Sequence, residues 1–307
     1  MSKLSIIIPV YFNEMNLEDL YQDLFEKVLS KINFYEIVFV DDGSEDDSVD
    51  KIRKLKRKDK NITLVRLSRN FGSHAAILAG LSVCTGDCAM MKAADLQEPS
   101  ELILEMYQKW ENGKKVVLAI RKDRKENFIQ KGFSNIYYWI MKRIALPDMP
   151  KGGFDCFLID RKVIEVLSAM DEKNSTLMGQ ILWVGFDRDV IYYSRLKREK
   201  GRSRWTLSKK IKLFVDSILA FSYFPIRFIS VVGILVFAIS IIWLLYILGV
   251  KLFVGIDAEG WTSLMITNLF FYGLVLLTLG IIGEYLWRTF DATRTRPTYI
   301  IEEIEEE

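Results

Sequence analysis

Residues 36–44 read EIVFVDDGS, an apolar run that stops abruptly at two carboxylates, a glycine and a serine. Four successive apolar residues bounded by turn formers predict a buried strand over Glu36–Val40 rather than a helix. Working outward, Leu4–Val10 predicts a second buried strand and Leu17–Leu29 has helical spacing between the two. Downstream, helical spacing over Ser48–Leu55, His74–Val83 and Ser100–Trp110 alternates with strand-like runs at Ile62–Leu67, Asp87–Lys92 and Lys115–Ile120. A βαβαβ alternation of this kind predicts an α/β domain whose mostly parallel sheet is covered on both faces. Such sheets bind ligands at the carboxyl ends of their strands, where strand order reverses.

Those ends are polar. The first strand runs into Pro9-Val10-Tyr11-Phe12-Asn13-Glu14, the second into Asp41-Asp42-Gly43-Ser44, and the fourth into Lys92-Ala93-Ala94-Asp95-Leu96-Gln97-Glu98-Pro99. A lone carboxylate after a strand is ordinarily a helix cap, and Ser44, Asp46 and Asp47 fit that role. Three acidic clusters at one sheet edge need a cation or a hydrogen-bonding ligand to offset their repulsion. Oxygen-rich sites suit Mg²⁺ or Mn²⁺ bound together with substrate phosphates. No G-x-G-x-x-G follows the first strand, and no G-x-x-x-x-G-K-[ST] occurs, so dinucleotide and P-loop readings lack their fingerprints. His74 is the single histidine, which excludes H-E-x-x-H zinc chemistry and reads as a surface or capping residue. Cys84, Cys88 and Cys156, an odd number, predict free thiols packed as small hydrophobes.

The 307 residues carry a net charge of only +2, which argues against a nucleic-acid binder working through an overall basic field. Charge is absent, however, from Phe228–Val250 and Trp261–Gly283. Each run is 23 residues, which as a helix rises about 34 Å, enough to cross a bilayer core. Nine basic residues against one Glu in Arg195–Lys212, with Arg288, Arg294 and Arg296 beyond the second run, place both ends of the chain in the cytoplasm by the positive-inside rule. Ile211–Phe224, preceded by lysines, reads as an amphipathic helix lying in the membrane interface. The expected organisation is a catalytic domain over 1–200, a basic interfacial segment over 201–225, two spans at about 226–250 and 261–287 within 226–288, and a solvated acidic cytoplasmic tail over 289–307.

Seven segments in order resemble the family-2 glycosyltransferases of GT-A fold. More narrowly, they resemble the polyprenyl-phosphate glycosyltransferases, the group of dolichyl-phosphate mannose synthase and the bactoprenol glucosyltransferases. They are IPVYFNE at 8–14, VDDGS at 40–44, RNFG at 69–72 with Ala79-Gly80, DLQEP at 95–99, FDCFL at 154–158, GRSRW at 201–205, and GEYL at 283–286 with RPTY at 296–299. The chain departs from the family pattern at Ala93, where the first Asp of D-A-D is usual, and at Phe157, where Arg is usual.

The resemblance implies inverting transfer of a sugar, with a UDP-sugar and glucose favoured, to undecaprenyl phosphate at the inner membrane of a bacterium. The product would supply cell-envelope glycans such as lipopolysaccharide. It implies nucleotide-sugar contacts from Pro9, Tyr11, Asn13, Glu14, Asp41, Asp42, Arg69, Ala94, Asp95 and Gln97, and a Mg²⁺ or Mn²⁺ ion on Asp95. Asp155 would serve as base or orienter, a catalytic role shared with Asp95, and Arg198, Arg202, Ser203 and Arg204 would receive the acceptor phosphate. The partners implied are the donor, the lipid acceptor and the bilayer, with a homo-oligomer assembled through the spans left open. Two other readings stand beside this one. One is a family-2 transferase with a different acceptor; the other, raised by Ala93, is a catalytically impaired, membrane-anchored nucleotide-sugar binder or scaffold.

Overall fold

The structure is a computed structural model that describes residues 2–122, 138–170, 172, 174–196, 207–253 and 260–306. The chain divides into two compact units, Met1–Ser217 with Arg296–Glu307, and Ile218–Thr295.

The first unit is built on an eight-stranded sheet. In chain order its elements are β1 (Leu4–Val10), α1 (Leu17–Lys27), β2 (Tyr35–Asp41), α2 (Ser48–Lys56), β3 (Ile62–Leu67), α3 (Ser73–Val83), β4 (Cys88–Met91), α4 (Leu102–Glu111) and β5 (Val116–Arg121). β6 (Cys156–Asp160), α5 (Arg161–Ala169), α6 (Leu177–Trp183), β7 (Arg188–Tyr193) and, from the far end of the chain, β8 (Ile301–Glu305) complete it. The strand order is β7-β5-β6-β4-β1-β2-β3-β8, so the chain moves outward from β1 to β3 and then returns to β4 on β1's other side. That reversal is the switch point at which the carboxyl ends of β1, β2 and β4 share one crevice.

β1 reads as an apolar run interrupted only by Ser5 because both faces are covered: Ile6, Ile7 and Ile8 are all fully buried. α1 packs with α2, and α3 with α5; right-handed crossovers on a reversing strand order put these pairs on opposite faces. α3 approaches so closely that a Cβ on Gly80 would lie 2.4 Å from Ile7 Cγ2 and 3.0 Å from Val40 Cγ2. Helix α3 can lie there only because position 80 has no side chain.

Two features depart from the expected alternation. β6 enters antiparallel between β4 and β5, so the fourth and fifth strands do not touch. Its antiparallel direction brings its first residues, not its last, to the carboxyl edge of the parallel strands. The closing acidic segment is also no solvated tail over Ile301–Glu305. It pairs antiparallel with β3, Val65 facing Ile304 and Arg66 facing Glu303. Arg53 Nη2 lies 2.6 Å from Glu305 Oε1 and Arg66 Nη1 lies 3.0 Å from Glu303 Oε2. An otherwise open sheet edge is thereby covered. Phe157 is wholly buried in β6, a core residue with no access to a ligand.

α7 (Leu207–Phe221) is helical, beginning and ending a few residues earlier than the spacing suggests. The second unit continues with α8 (Phe224–Phe253) and α9 (Trp261–Thr293). Ser222 Oγ accepts a hydrogen bond from Phe224 N at 3.0 Å, and Pro225 occupies the first turn of α8, where its missing N–H costs nothing. Both helices are long and apolar enough to cross a membrane: Phe224–Trp243 has a mean hydropathy of 2.4 and Phe270–Thr293 of 1.6.

Candidate active site at the carboxyl edge of the sheet

β1 ends in a loop stitched to the loop after β2. Phe12 N donates to Ser44 Oγ at 3.0 Å and Asn13 N to Ser48 Oγ at 3.0 Å, while Asp47 N donates to Glu14 Oε2 at 3.0 Å. Asn13 Oδ1 accepts from Tyr11 N at 2.9 Å, and the Tyr11 and Phe12 rings meet edge to face at 4.7 Å. Phe12 and, after β4, Leu96 both hold φ of 56°, a left-handed conformation costly for bulky side chains. Strain of this sort persists where surrounding contacts impose it and gathers at ligand sites.

The two aspartates after β2 have different duties. Asp42 is 3% exposed, and its oxygens accept from Phe71 N at 2.7 Å and Gly72 N at 2.9 Å. It thus fastens the RNFG loop, on which the Arg69 guanidinium lies 4.4 Å from the centre of the Phe71 ring. Gly43 makes this approach possible at φ 74°, since a Cβ there would sit 2.8 Å from the Arg69 carbonyl carbon. Asp41 is 1% exposed; Oδ2 accepts from Ser44 N at 3.1 Å, but Oδ1 has no hydrogen-bond partner among the described residues. Burial raises its pKa above the usual carboxylate range, against the lowering influence of Ser44 and Arg66.

Beyond β4, Lys92 is fully buried and donates through Nζ to the Glu98 carbonyl, and Ala93 N donates to Glu98 Oε2 at 3.1 Å. Burial pushes the Glu98 carboxyl up despite the nearby Lys92 charge. Asp95, 17% exposed, accepts from Gln97 N at 3.3 Å through Oδ1, and Arg195 Nη2 lies 3.9 Å from its Oδ2. Arg195 also donates to Gln97 Oε1, and Leu196 N donates to Gln97 O at 2.9 Å, so the segment after β7 is strapped across this loop. Ala94 is buried beside it.

Asp155 precedes β6. Arg121, the last residue of β5, grips its carboxylate with two nitrogens, Nε on Oδ2 and Nη2 on Oδ1 at 2.7 Å. Tyr193 Oη donates to Oδ2 at 3.0 Å. Arg121 and Tyr193 are themselves register partners between β5 and β7.

The expected donor-side residues Pro9, Tyr11, Asn13, Glu14, Asp41, Asp42, Arg69, Ala94, Asp95 and Gln97 thus all lie on the carboxyl edge, and Asp155 joins them. Asn13 N and Glu14 Oε2 join the loops after β1 and β2, and Asp42 fastens the loop after β3. Arg198, Arg202, Ser203 and Arg204 lie outside the described residues. His74 is half-buried in the first turn of α3, with its pKa lowered by desolvation. The three acidic clusters are offset largely from within, by Lys92, Arg121, Arg195 and backbone N–H groups. Arg121, Tyr193 and Arg195 were not singled out from the sequence. Arg121 was open to discovery by the rule applied to the other strands, since it closes β5 at the same edge.

Among the described residues no three His, Cys, Asp or Glu side chains are grouped to hold a metal ion. A hard cation that keeps waters and takes phosphate oxygens needs only one or two protein carboxylates, so Asp95 fits a divalent ion that arrives with a diphosphate.

Residues 5–168 match the profile described as Glycosyl transferase family 2. A Bacillus subtilis protein named uncharacterized glycosyltransferase YkcC is 38% identical over 97% of this chain and 93% of its own. A bactoprenol glucosyl transferase of Shigella phage SfX is 32% identical, covering 97% of this chain and 98% of its own. Among solved structures, mannosyl-3-phosphoglycerate synthase from Rubrobacter xylanophilus aligns with a TM-score of 0.50 at 13% identity, over 76% of this chain and 75% of that one, a likeness of fold.

Proposed function

The chain is a glycosyltransferase of family 2, and from that premise we propose that it moves glucose from UDP-glucose to undecaprenyl phosphate at the cytoplasmic face of a bacterial inner membrane. The observation that carries this reading is the gathering of Asp41, Arg69, Asp95 and Asp155 at the carboxyl edge of the sheet, where Asp41 Oδ1 has no hydrogen-bond partner among the described residues. A buried acceptor without a donor costs about 1–3 kcal/mol, which a ligand N–H or O–H would recover. A nucleoside offers both, on its base and its ribose. Likeness to a bactoprenol glucosyl transferase over nearly the whole of both chains supports the polyprenyl acceptor and the sugar. The two apolar helices support anchorage in a bilayer, with the catalytic domain and both chain ends on one side.

In the proposed reaction an oxygen of the acceptor phosphate attacks the anomeric carbon of glucose and forms the new C–O bond. The bond from that carbon to the donor diphosphate breaks, and UDP leaves with the electron pair. A single in-line displacement inverts the anomeric centre. The phosphate monoester, with a second pKa of about 6, is largely a dianion at neutral pH and has no proton to surrender. Asp41 and Arg69 are assigned to the nucleoside, and Asp95 would hold a divalent cation, Mg²⁺ or Mn²⁺. That ion would supply Lewis-acid stabilisation of the departing diphosphate. The basic run with Arg198, Arg202, Ser203 and Arg204 is assigned to the acceptor phosphate, since Arg binds phosphate in bidentate fashion.

The test is a transfer assay on detergent-solubilised protein with labelled nucleotide sugars and undecaprenyl phosphate, with Mg²⁺ or Mn²⁺ and then with chelator. A labelled chloroform-soluble product from UDP-glucose that disappears with chelator is the expected result. Donor binding without lipid product from any donor would favour the scaffold reading, and Ala93→Asp would then be the variant to make.

A further inference from the structure

Arg66 is the one charged residue of β3, whose other residues are apolar apart from Thr63. It stands between two carboxylates. Its register partner on β2 is Asp41, and its register partner on β8 is Glu303. Neighbouring strands lie about 4.8 Å apart, so negative, positive and negative charges alternate at short range across the carboxyl end of the sheet. The half-buried guanidinium is held from the β8 side: Nη1 lies 3.0 Å from Glu303 Oε2, and Nη2 lies 3.9 Å from Glu302 Oε2. Consecutive residues of a regular strand point to opposite faces. The register shift between Arg66 and Leu67 lets both glutamates approach one cation, as a bulge that re-aims a side chain does. Beyond Leu67, Ser68 N donates to Ile300 O at 3.0 Å, so the contact with the C-terminal segment runs up to the start of the loop that carries Arg69.

We propose that β8 belongs to the donor site: Arg66 is a positioning residue that supports the negative charge of Asp41 toward the donor nucleoside, and Glu303 of the C-terminal strand holds that guanidinium and moderates it. This deepens the reading of Asp41 as a nucleoside contact and rests on it. A carboxylate accepts the N–H and O–H donors of a nucleoside most strongly when it is ionised. Burial works against the ionised form of Asp41, and the Arg66 charge works for it. The other groups near Asp41 do not replace Arg66. Ser44 assists through hydrogen bonds but carries no charge, Asp46 in the loop after β2 opposes, and Val10, the register partner on β1, is apolar. Of the helices packed on β2, α3 carries His74 as its only titratable side chain, and α2 turns Arg53 to Glu303 at 3.5 Å. Glu303 is thus shared by two arginines, and its charge draws on Arg66 from the side away from Asp41. Because β8 follows α9 in the chain, the segment that leaves the apolar helices ends as a strand of the donor site.

The experiment measures UDP-glucose binding by isothermal titration calorimetry between about pH 4.5 and 8, with Mg²⁺ held constant and no acceptor present. Wild-type protein is compared with Arg66→Ala, Arg66→Lys, Glu303→Gln and the double variant Arg66→Ala/Glu303→Gln. The diphosphate of UDP-glucose does not titrate in this range, so the acidic limb of the affinity belongs to the protein. Arg66→Ala withdraws a positive charge; Asp41 then takes up its proton at higher pH, and the limb should move up by about half to one pH unit. Within the limb that is a roughly three- to tenfold weaker Kd at fixed pH, and the difference should vanish by about pH 8. Glu303→Gln withdraws a negative charge and should move the limb slightly the other way. Arg66→Lys keeps the charge and should leave the limb near its wild-type position. The double variant should match Arg66→Ala, because Glu303 acts through Arg66. Residues that merely supported the sheet edge would weaken binding in one direction whichever charge was lost. A Glu303→Gln limb that moves up together with that of Arg66→Ala therefore overturns the proposal. So does a limb that stays in place in Arg66→Ala, or a wild-type affinity that does not change with pH. Should a urea melt show that Arg66→Ala does not fold, the oppositely signed shift in Glu303→Gln, at an exposed residue, decides alone. A wild type that binds no UDP-glucose at any pH removes the nucleoside reading of Asp41 itself, whereas a binding wild type with an unmoved limb in the variants removes only the role given to Arg66 and β8.

Discussion

Glu36 and Asp41 occupy opposite ends of the same strand, β2, and are nearly equally buried at 8% and 1% exposure. Glu36, at the amino end, is saturated. It accepts from Lys3 Nζ at 2.7 Å, Ser5 Oγ at 2.6 Å, Thr85 N at 2.6 Å, Thr85 Oγ1 at 2.7 Å and Gly86 N at 3.1 Å. Burial alone would raise its pKa, but the bonds from Lys3, Ser5 and Thr85 outweigh it and the value is lowered. At Asp41 the balance runs the other way: burial wins over Ser44, the pKa is raised, and one oxygen has no hydrogen-bond partner among the described residues. The amino edge spends its carboxylate on holding the fold. At the carboxyl edge one oxygen of Asp41 has no hydrogen-bond partner among the described residues, the capacity we propose the donor nucleoside takes up.

The largest effect that would sharpen this contrast is expected at Asp95. Asp95→Ala should lower kcat by about 10²–10³-fold, as loss of a charge-stabilising group in a transfer site does, and should leave the melting temperature within about 2 °C of wild type. A large fall in melting temperature would make Asp95 a structural residue and break the comparison. Glu36→Gln is the mirror experiment. It should destabilise the protein by roughly 2–3 kcal/mol, because five donors lose a charged acceptor, with KM for the donor unchanged. The sign of the pH dependence follows from the lowered value. The stability due to Glu36 is present above the unfolded pKa of about 4.3 and is lost as pH falls through the lower folded value. Acid unfolding of Glu36→Gln should therefore be less steep than that of wild type, by denaturant melts across that window.

Asp41 should behave oppositely. Asp41→Ala is expected to raise the donor KM by about 10–100-fold, the worth of a hydrogen bond to a charged group. Asp41→Asn, which retains an acceptor for Ser44 N, should raise stability near neutral pH by roughly 1 kcal/mol by removing a buried charge. Here a raised folded pKa means that stability is lost as pH climbs from the unfolded to the folded value, so the gain on substitution should vanish in acid. The smallest effect belongs to the edge strand β8: Glu303→Ala with Glu305→Ala should cost about 1 kcal/mol or less, and less still in high salt, because the partners Arg53 and Arg66 are about one-third exposed. Guanidinium melts at two ionic strengths would misread that dependence, so urea is the denaturant to use.

Local sequence was informative wherever structure follows from short-range pattern. The runs at Leu4–Val10 and Ile62–Leu67 match their strands residue for residue; the first is covered on both faces, while Thr63 and Arg66 of the second are only partly covered. Abrupt polarity after those runs marked the carboxyl edge, and the pair of long uncharged stretches foretold α8 and α9. Pairing across long separations is a different matter. Nothing local in CFLID announces that β6 runs antiparallel between β4 and β5, and nothing in IEEIE announces a strand on the far side of β3. An acidic, terminal segment resembles a solvated tail until Arg53 and Arg66 are found opposite it. Likewise two adjacent aspartates look equivalent in VDDGS. Only the fold turns Asp42 toward the Phe71 and Gly72 amides and leaves one oxygen of Asp41 without a partner among the described residues.

By itself, then, the chain's order of residues determined that an α/β sheet would form, that its carboxyl edge would be acidic, and that two apolar helices would follow. Those outcomes depend on periodicity and composition, which are local properties. The tertiary structure alone decided which carboxylate is spent and which is kept, because Asp155 meets Arg121 and Tyr193 across separations of 34 and 38 residues. A charged side chain acquires its role from the donors that reach it, and in a folded sheet those donors come from neighbouring strands rather than from neighbouring residues.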